Sequence, residues 1–157
     1  MPIDEAAFKL AMSHFASGVT VVTTEHAGRQ YGMTVASFAS LSLRPPLVLI
    51  CIEKSVKTHE AIVAAGKFGV SILSAAQADI SSKFASRSDD KFSGIKITRG
   101  ERGIPLIADA LTTLECELRD QLPGGDHTIF VGEVVESVTR EGIPLLYFRS
   151  GYREMQR

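Results

Sequence analysis

The chain has no asparagine and only two cysteines in 157 residues. Without asparagine there is no N-glycosylation sequon. Cys51 and Cys116 lie in apolar, strand-like stretches and in no CxxC spacing, so they read as reduced, buried thiols of a cytosolic protein. Neither sign of charge dominates: Lys plus Arg is 17, Asp plus Glu is 18, and the formal net charge is −1. That balance lacks the basic footprint of a nucleic-acid binder. The longest apolar runs, such as Pro45–Ile52, fall far short of the roughly 20 residues that cross a bilayer. The N-terminal Met1-Pro-Ile-Asp-Glu has no basic region followed by an apolar stretch, so no signal peptide and no membrane partner are expected. Also missing are a GxGxxG after a strand, a P-loop, HExxH and GxSxG. The four histidines are scattered without ligand spacing, and no metal is expected.

What remains is an ordinary globular composition, 45% hydrophobic and 22% charged, of a length that predicts one domain over residues 1–157. Asp4 followed by Ala7, Phe8, Ala11, Met12 and Phe15 predicts an N-capped amphipathic helix ending near Gly18. Val19–Thr24 is β-branched throughout, a turn surrounds Gly28, and Tyr31–Phe38 returns as the second strand of a hairpin. After Pro45-Pro46, Leu47–Ile52 has the look of a buried strand. Thr58 as N-cap and Gly66 as stop predict a short helix; Phe68–Leu73 then alternates as a strand, and Ala75–Phe84 reads as another helix. Residues 85–103 form a long polar, glycine-rich loop, of a kind more often functional than idle. Leu111–Leu118 and Ile129–Val138 alternate as longer strands around the turn Leu122-Pro-Gly-Gly-Asp126, and Ile143–Phe148 is the last strand. Six or seven strands with two or three short helices, joined mainly by hairpin-type turns, predict a mainly β fold. The expected form is a Greek-key barrel with helices plugging its end or side.

Three clusters carry candidate chemistry. Thr34, Ser37, Ser40 and Ser42 crowd hydroxyls beside strand ends, where hydroxyl and main-chain N–H groups can hold a phosphate or a heterocycle edge. Ser55 and Thr58, with Lys54 and Lys57, suit an anion at a helix N-terminus. In Gly124-Gly125-Asp126-His127, the histidine falls at a sheet rim, where imidazole can donate a hydrogen bond, titrate or stack on a planar ligand. Ordinary turns, caps and solvated lysines explain each cluster taken alone. Two Lys-Phe pairs, Lys83-Phe84 and Lys91-Phe92, flank the long loop and read equally well as its anchors to the core.

Taken in order, Phe15–Thr24, Gly32–Val48, Lys67–Leu73, Lys83-Phe84-Ala85 and Gly125–Val134 resemble the flavin reductase family. These are the small FMN- or FAD-binding split-barrel reductase components of two-component flavin monooxygenases. The resemblance runs from about Phe8 to Tyr152. It implies that Gly32, Met33, Thr34, Ala36 and Ser37 line the isoalloxazine and ribityl chain, with Cys51, Ile52 and Glu53 continuing that wall. Lys57, Thr58, Lys83 and Phe84 would hold the phosphate end. His127 would lie where the nicotinamide docks, orienting it, and Tyr152 would border the same place. One departure is Ser71, where the family often has Asn. The implied activity is hydride transfer from NADH or NADPH to FMN or FAD, which then leaves for a partner oxygenase. A homodimer is implied as well. The competing expectations are a flavin- or haem-binding protein of the same barrel without turnover, and an oxidase of the pyridoxine-phosphate type. The Gly-Asp-His motif and the few arginines in the phosphate clusters speak against the oxidase.

Overall fold

The computed structural model describes residues 1–156; Arg157, the last residue of the expected domain, lies outside the described residues. Helix α1 (Glu5–Ser13) begins where the sequence places it, because the Asp4 carboxylate accepts the Ala7 N–H at 2.7 Å. It is followed by β1 (Ser17–Gly18), β2 (Thr20–His26), β3 (Arg29–Val35), β4 (Phe38–Ser42) and β5 (Leu47–Glu53). Helix α2 (Lys57–Ala65) leads into β6 (Lys67–Ile72), and a 3-10 turn at Ala75–Gln77 leads into α3 (Ala78–Ala85). The chain closes with β7 (Ile97–Arg99), β8 (Pro105–Ile107), β9 (Thr112–Gly124), β10 (His127–Thr139), β11 (Leu145–Phe148) and β12 (Gly151–Glu154).

Seven strands make one antiparallel sheet in the order β3-β2-β6-β9-β10-β5-β4. Its two edge strands, β3 and β4, are consecutive in the chain and joined only by Ala36 and Ser37. Laid flat, seven strands would set the edges about 29 Å apart, whereas so short a link reaches only about 10 Å. The sheet is therefore rolled, its edges meeting at that corner without a ladder between them among the described residues. The fold is mainly β, as the sequence predicts.

Rolling gives the strands two buried faces. Val22, Ile50, Ile52, Phe68 and Phe130 fill the interior, each 0% exposed, and α2 contributes Ile62. The other face of β2 sends Val21, joined by Val19 just before the strand, into a second cluster with Leu73, Phe84, Ile107 and Leu145 beneath α3. This explains why β2 is β-branched without alternation: both of its faces are covered.

Several expectations need correction. Thr58 does not cap α2; Val56 is the cap residue, with no side-chain bond, and Thr58 is buried within the first turn. The predicted strand Tyr31–Phe38 breaks at Ala36–Ser37, where the chain passes from one sheet edge to the other. The 85–103 loop contains β7, which pairs with β8 as a hairpin tied down by Thr23 Oγ1 to the Pro105 carbonyl. A further strand, β12, follows β11 through Arg149 and Ser150, both at positive φ. Cys116 is buried, but Cys51 is only half-buried, because on β5 it alternates with the inward-facing Ile50 and Ile52.

Candidate active site

A cleft of about 600 Å³ opens between edge strand β3, the end of β5 with the start of α2, and the end of α3 with the segment after it. Being an edge strand, β3 has one side free, and residues Arg29–Thr34 border the cleft along it. Glu53 and residues 55–58 form the second wall, and Phe84–Asp89 with Lys91 and Phe92 form the third.

The walls are held by bonds between elements distant in sequence. Thr34 Oγ1 donates to the Ser81 carbonyl at 2.6 Å, and the Ser81 hydroxyl meets the Tyr152 hydroxyl at 2.7 Å, so β3, α3 and β12 are fixed together. With its proton committed to Ser81, Thr34 can face a ligand only as an acceptor. The Phe84 and Phe92 rings meet edge to face, with centroids 5.0 Å apart, against the flat strand at Gly32. A Cβ on Gly32 would lie 2.8 Å from the Phe84 ring and 3.1 Å from Phe92. Only glycine lets these two rings close on the strand. Lys91 Nζ donates to the carbonyls of Gly32 and Phe84, both at 3.1 Å.

The cleft is electropositive although the chain is not. Arg29, Lys57, Arg87 and Lys91 face Glu53 and Asp89, a net of two positive charges in a chain of net charge −1. Lys57 and Asp89 are 3.3 Å apart across the mouth.

Of the residues singled out in the sequence, Gly32, Met33, Thr34, Glu53, Ser55, Lys57, Thr58 and Phe84 come together here, with the Lys91-Phe92 pair. Ala36, Ser37, Cys51 and Ile52 do not line the cleft. Ser37 and Cys51 clasp each other beyond its rim, Cys51 N to Ser37 O and Ser37 Oγ to Cys51 O, each 3.1 Å. The run Cys51-Ile52-Glu53 cannot present three side chains to one side, because strand residues alternate, and Ile52 points into the core. The Lys83 ammonium is bonded to the Ser93 carbonyl and lies outside the lining. Tyr152 acts on the cleft through Ser81.

His127 begins β10 directly opposite Glu53, placing it on the sheet rim beside the cleft. Its Nδ1 lies 2.7 Å from the Asp126 carboxylate, and that bond holds the Asp126 carboxyl below the usual carboxylate range. Since a carboxylate only accepts, Nδ1 carries the hydrogen and Nε2 is left for a ligand.

Sequence reasoning missed Arg29, Gln30, Tyr31 and most of residues 86–92 as cleft-lining groups. The signal for the second group was present in the polarity of the long loop and its second Lys-Phe pair. Elsewhere, a smaller cavity of about 210 Å³ lies around Glu115 and Glu136, beside the β7–β8 hairpin. It includes none of the residues singled out in the sequence.

The Flavin reductase like domain family matches residues 12–156, and the chain belongs to that family. It is 42% identical over 151 residues to the reductase component of a 4-nitrophenol 4-monooxygenase/4-nitrocatechol 2-monooxygenase of Rhodococcus opacus, covering 96% of this chain and 81% of that protein. It is likewise 42% identical over 150 residues to the reductase component of a Thermus thermophilus 4-hydroxyphenylacetate 3-monooxygenase, covering 95% of each. Among solved structures, an NADH:FAD oxidoreductase of Streptomyces globisporus in complex with NAD and FAD fragments superposes with a TM-score of 0.92. Identity there is 39%, with 98% of this chain and 93% of that one covered.

Proposed function

We propose that the cleft seats FMN or FAD beside NADH or NADPH, and that this flavin reductase hands reduced flavin to a separate monooxygenase. The observation that carries the reading is the cleft itself, which combines a flat strand wall closed by two aromatic rings with a positively charged mouth. Its volume suits a ligand of nucleotide size, and its charge suits a phosphate tail. The flavin supplies the hydride acceptor and the nicotinamide the donor, so the protein's task is to align two rings and keep water from them.

In this reading Gly32, Met33 and Thr34 form the wall against the flavin ring, with Ala36, Ser37, Cys51, Ile52 and Glu53 extending it mainly through backbone. Lys57, Thr58 and Phe84 sit toward the phosphate, and Lys83 holds the loop that closes that end. His127, through its free Nε2, positions the nicotinamide from the rim beside Glu53, with Tyr152 supporting α3 from behind.

The same reading makes the protein a single-domain homodimer of the cytoplasm. Support for the dimer comes from α1, which buries no residue and leaves Phe8, Leu10 and Met12 exposed, and from Phe15 and Leu43, each 80% exposed. Apolar surface of this kind is ordinarily covered by a partner. No described helix is long and apolar enough to cross a membrane.

The test is nicotinamide oxidation followed by absorbance in air, with NADH or NADPH, first alone and then with riboflavin, FMN or FAD. Oxidation that depends on added flavin is expected, and the preferred pair identifies both nucleotides. A protein that binds flavin yet oxidises neither nicotinamide would overturn the reductase reading in favour of a binding protein.

A further inference from the structure

Away from the flavin cleft, Glu115 and Glu136 stand directly opposite each other on β9 and β10. Two carboxylates in register on one sheet face repel, and one of these, Glu115, is 1% exposed. Glu115 Oε1 accepts the Ile104 N–H at 3.4 Å, and Glu136 Oε2 accepts the Glu101 N–H at 3.0 Å. Glu115 Oε2 is buried and receives no hydrogen bond from the described residues. The nearby cations are committed elsewhere: Arg99 to Glu25, Arg102 to Glu117 and Arg140 to Asp109. Position 100 is shaped to this pair. A Cβ on Gly100 would collide with Glu115 Oε2 and stand 2.8 Å from Glu136 Oε2, although the backbone there is not in the left-handed region that calls for glycine.

The 210 Å³ cavity lies beside the two carboxyl groups and has the volume of about seven water molecules. Leu106, Ile107 and Ala110 give it an apolar wall, and the exposed Val138 and Arg140 bring it to the surface. Burial, followed by bonding to Glu136, holds the Glu115 carboxyl above its ordinary range, so the pair on its own keeps a proton between its oxygens. A shared proton needs no cavity, whereas a cation that carries N–H donors on an apolar body does. Two carboxylates fall short of the about six to eight oxygens that calcium takes, and no group of three or more His, Cys, Asp or Glu side chains suited to a metal occurs among the described residues.

We propose that this cavity binds a small primary ammonium ion, whose N–H donors bridge Glu115 and Glu136 and whose short alkyl body lies against Leu106, Ile107 and Val138. The ammonium takes the place of the shared proton: one carboxyl O–H bond breaks and that proton leaves to solvent. The site is separate from the flavin cleft and does not depend on the flavin reading.

The experiment is isothermal titration calorimetry of the full chain with butylammonium chloride, beside 1-butanol and calcium chloride. Saturable butylammonium binding is expected at about millimolar concentration, as suits so small a ligand. 1-Butanol, with the same body and no charge, should bind at least about tenfold more weakly. Affinity for butylammonium should rise from about pH 5 to about pH 8, with proton release read from the dependence of the heat on the buffer's ionisation enthalpy. Glu115→Gln and Glu136→Gln should each weaken binding about tenfold, and Glu115→Gln should also abolish the proton release. No saturable heat with butylammonium, equal binding of 1-butanol, or binding of calcium in its place would each overturn the proposal. So would butylammonium affinity that neither variant lowers, since the ligand would then sit elsewhere. If Glu115→Gln does not fold, Glu136→Gln, at a half-buried position, and the proton release of the wild type decide the matter.

Discussion

Placing one methyl group on Gly32 tests how the cleft is built. The added Cβ would stand 2.8 Å from Phe84 Cε1, 3.0 Å from its Cδ1 and 3.1 Å from Phe92 Cζ. Carbon atoms in comfortable contact sit about 3.5–4.0 Å apart, so the ring must retreat by roughly 0.7 Å. Phe84 is 0% exposed and backed by the second core cluster, and it has no free space to enter. Overpacking of this kind costs about 1–3 kcal/mol. At about 2 kcal/mol, and about 2–4 °C per kcal/mol for a chain of this size, Gly32→Ala should lower the melting temperature by about 4–8 °C. Phe92 is half-buried at the cleft and is the ring free to swing, so it should narrow the cleft and weaken flavin binding as well. The control is Gly18→Ala, whose Cβ would meet nothing within 4 Å. Melting followed by circular dichroism, with flavin titrations alongside, reads both effects. If Gly32→Ala melts within about 1 °C of Gly18→Ala, the packing account of the wall is wrong. Phe84→Leu in the same chain should relieve part of the loss, so that the double variant costs less than the two singles added.

Glu115 gives a pH-dependent counterpart. It is 1% exposed, and burial, followed by hydrogen bonding to the Glu136 carboxyl, pushes its pKa above the ordinary carboxyl value of 4.5. The folded state therefore favours its protonated form. The stability it contributes is complete below pH 4.5 and is lost as pH rises through the raised, folded value. Glu115→Gln keeps a donor toward Glu136 without titrating, so its melting temperature should gain on the wild type as pH rises from acid toward neutral and beyond; parallel curves would refute the shared-proton account. The two thiols should differ sharply toward iodoacetamide in the folded protein. Burial, and then the charge of Glu115, pushes the Cys116 pKa up to about 12, while Cys51 is half-buried, so one adduct at Cys51 is expected by mass spectrometry and labelling of Cys116 first would contradict it. His127→Ala should raise the nicotinamide Michaelis constant severalfold with little change in flavin affinity, because the ring sits on the rim beside Glu53 and not in the cleft lining. An unchanged constant would remove His127 from the site.

How far the sequence foretells the molecule depends on whether a feature is local. Asp4, the β-branched run of β2 and the glycine turn before His127 each decide their own structure within a few residues, and each appears where the sequence puts it. The strand predicted over Tyr31–Phe38 fails for the opposite reason. Residues 36 and 37 include no glycine or proline to announce a break; the chain turns there, with the Phe38 N–H donating to the Ala36 carbonyl at 3.0 Å, because the rolled sheet brings its far edge to that corner. Thr58 has the composition of a cap, but the helix begins two residues earlier than such a cap implies, at Lys57, and buries it instead. The site divides the same way. Gly32–Thr34 and Phe84 are legible because motifs in family order carry them, and Lys57 because it stands in a basic, hydroxyl-bearing cluster before a helix, whereas the strand period of two removes Ile52 from a run that looked continuous.

Lys91 shows where such reading ends. In sequence it is one of two lysines in the polar segment 85–103, beside a phenylalanine that anchors to the core. Its meaning comes from two carbonyls, Gly32 and Phe84, that lie 59 and 7 residues away and meet only when α3 packs against the edge strand. Backbone carbonyls are present at every position and leave no compositional trace, so no motif announces that a particular pair will converge on one ammonium. The packing that makes them converge is set by glycine at position 32, where any side chain would hold the Phe84 ring, and with it the end of α3, away from the strand. The position of the Lys91 ammonium and the flatness of the wall are thus consequences of the same close approach. Gly32→Ala should therefore weaken flavin binding along with stability, by displacing one of the carbonyls that hold Lys91.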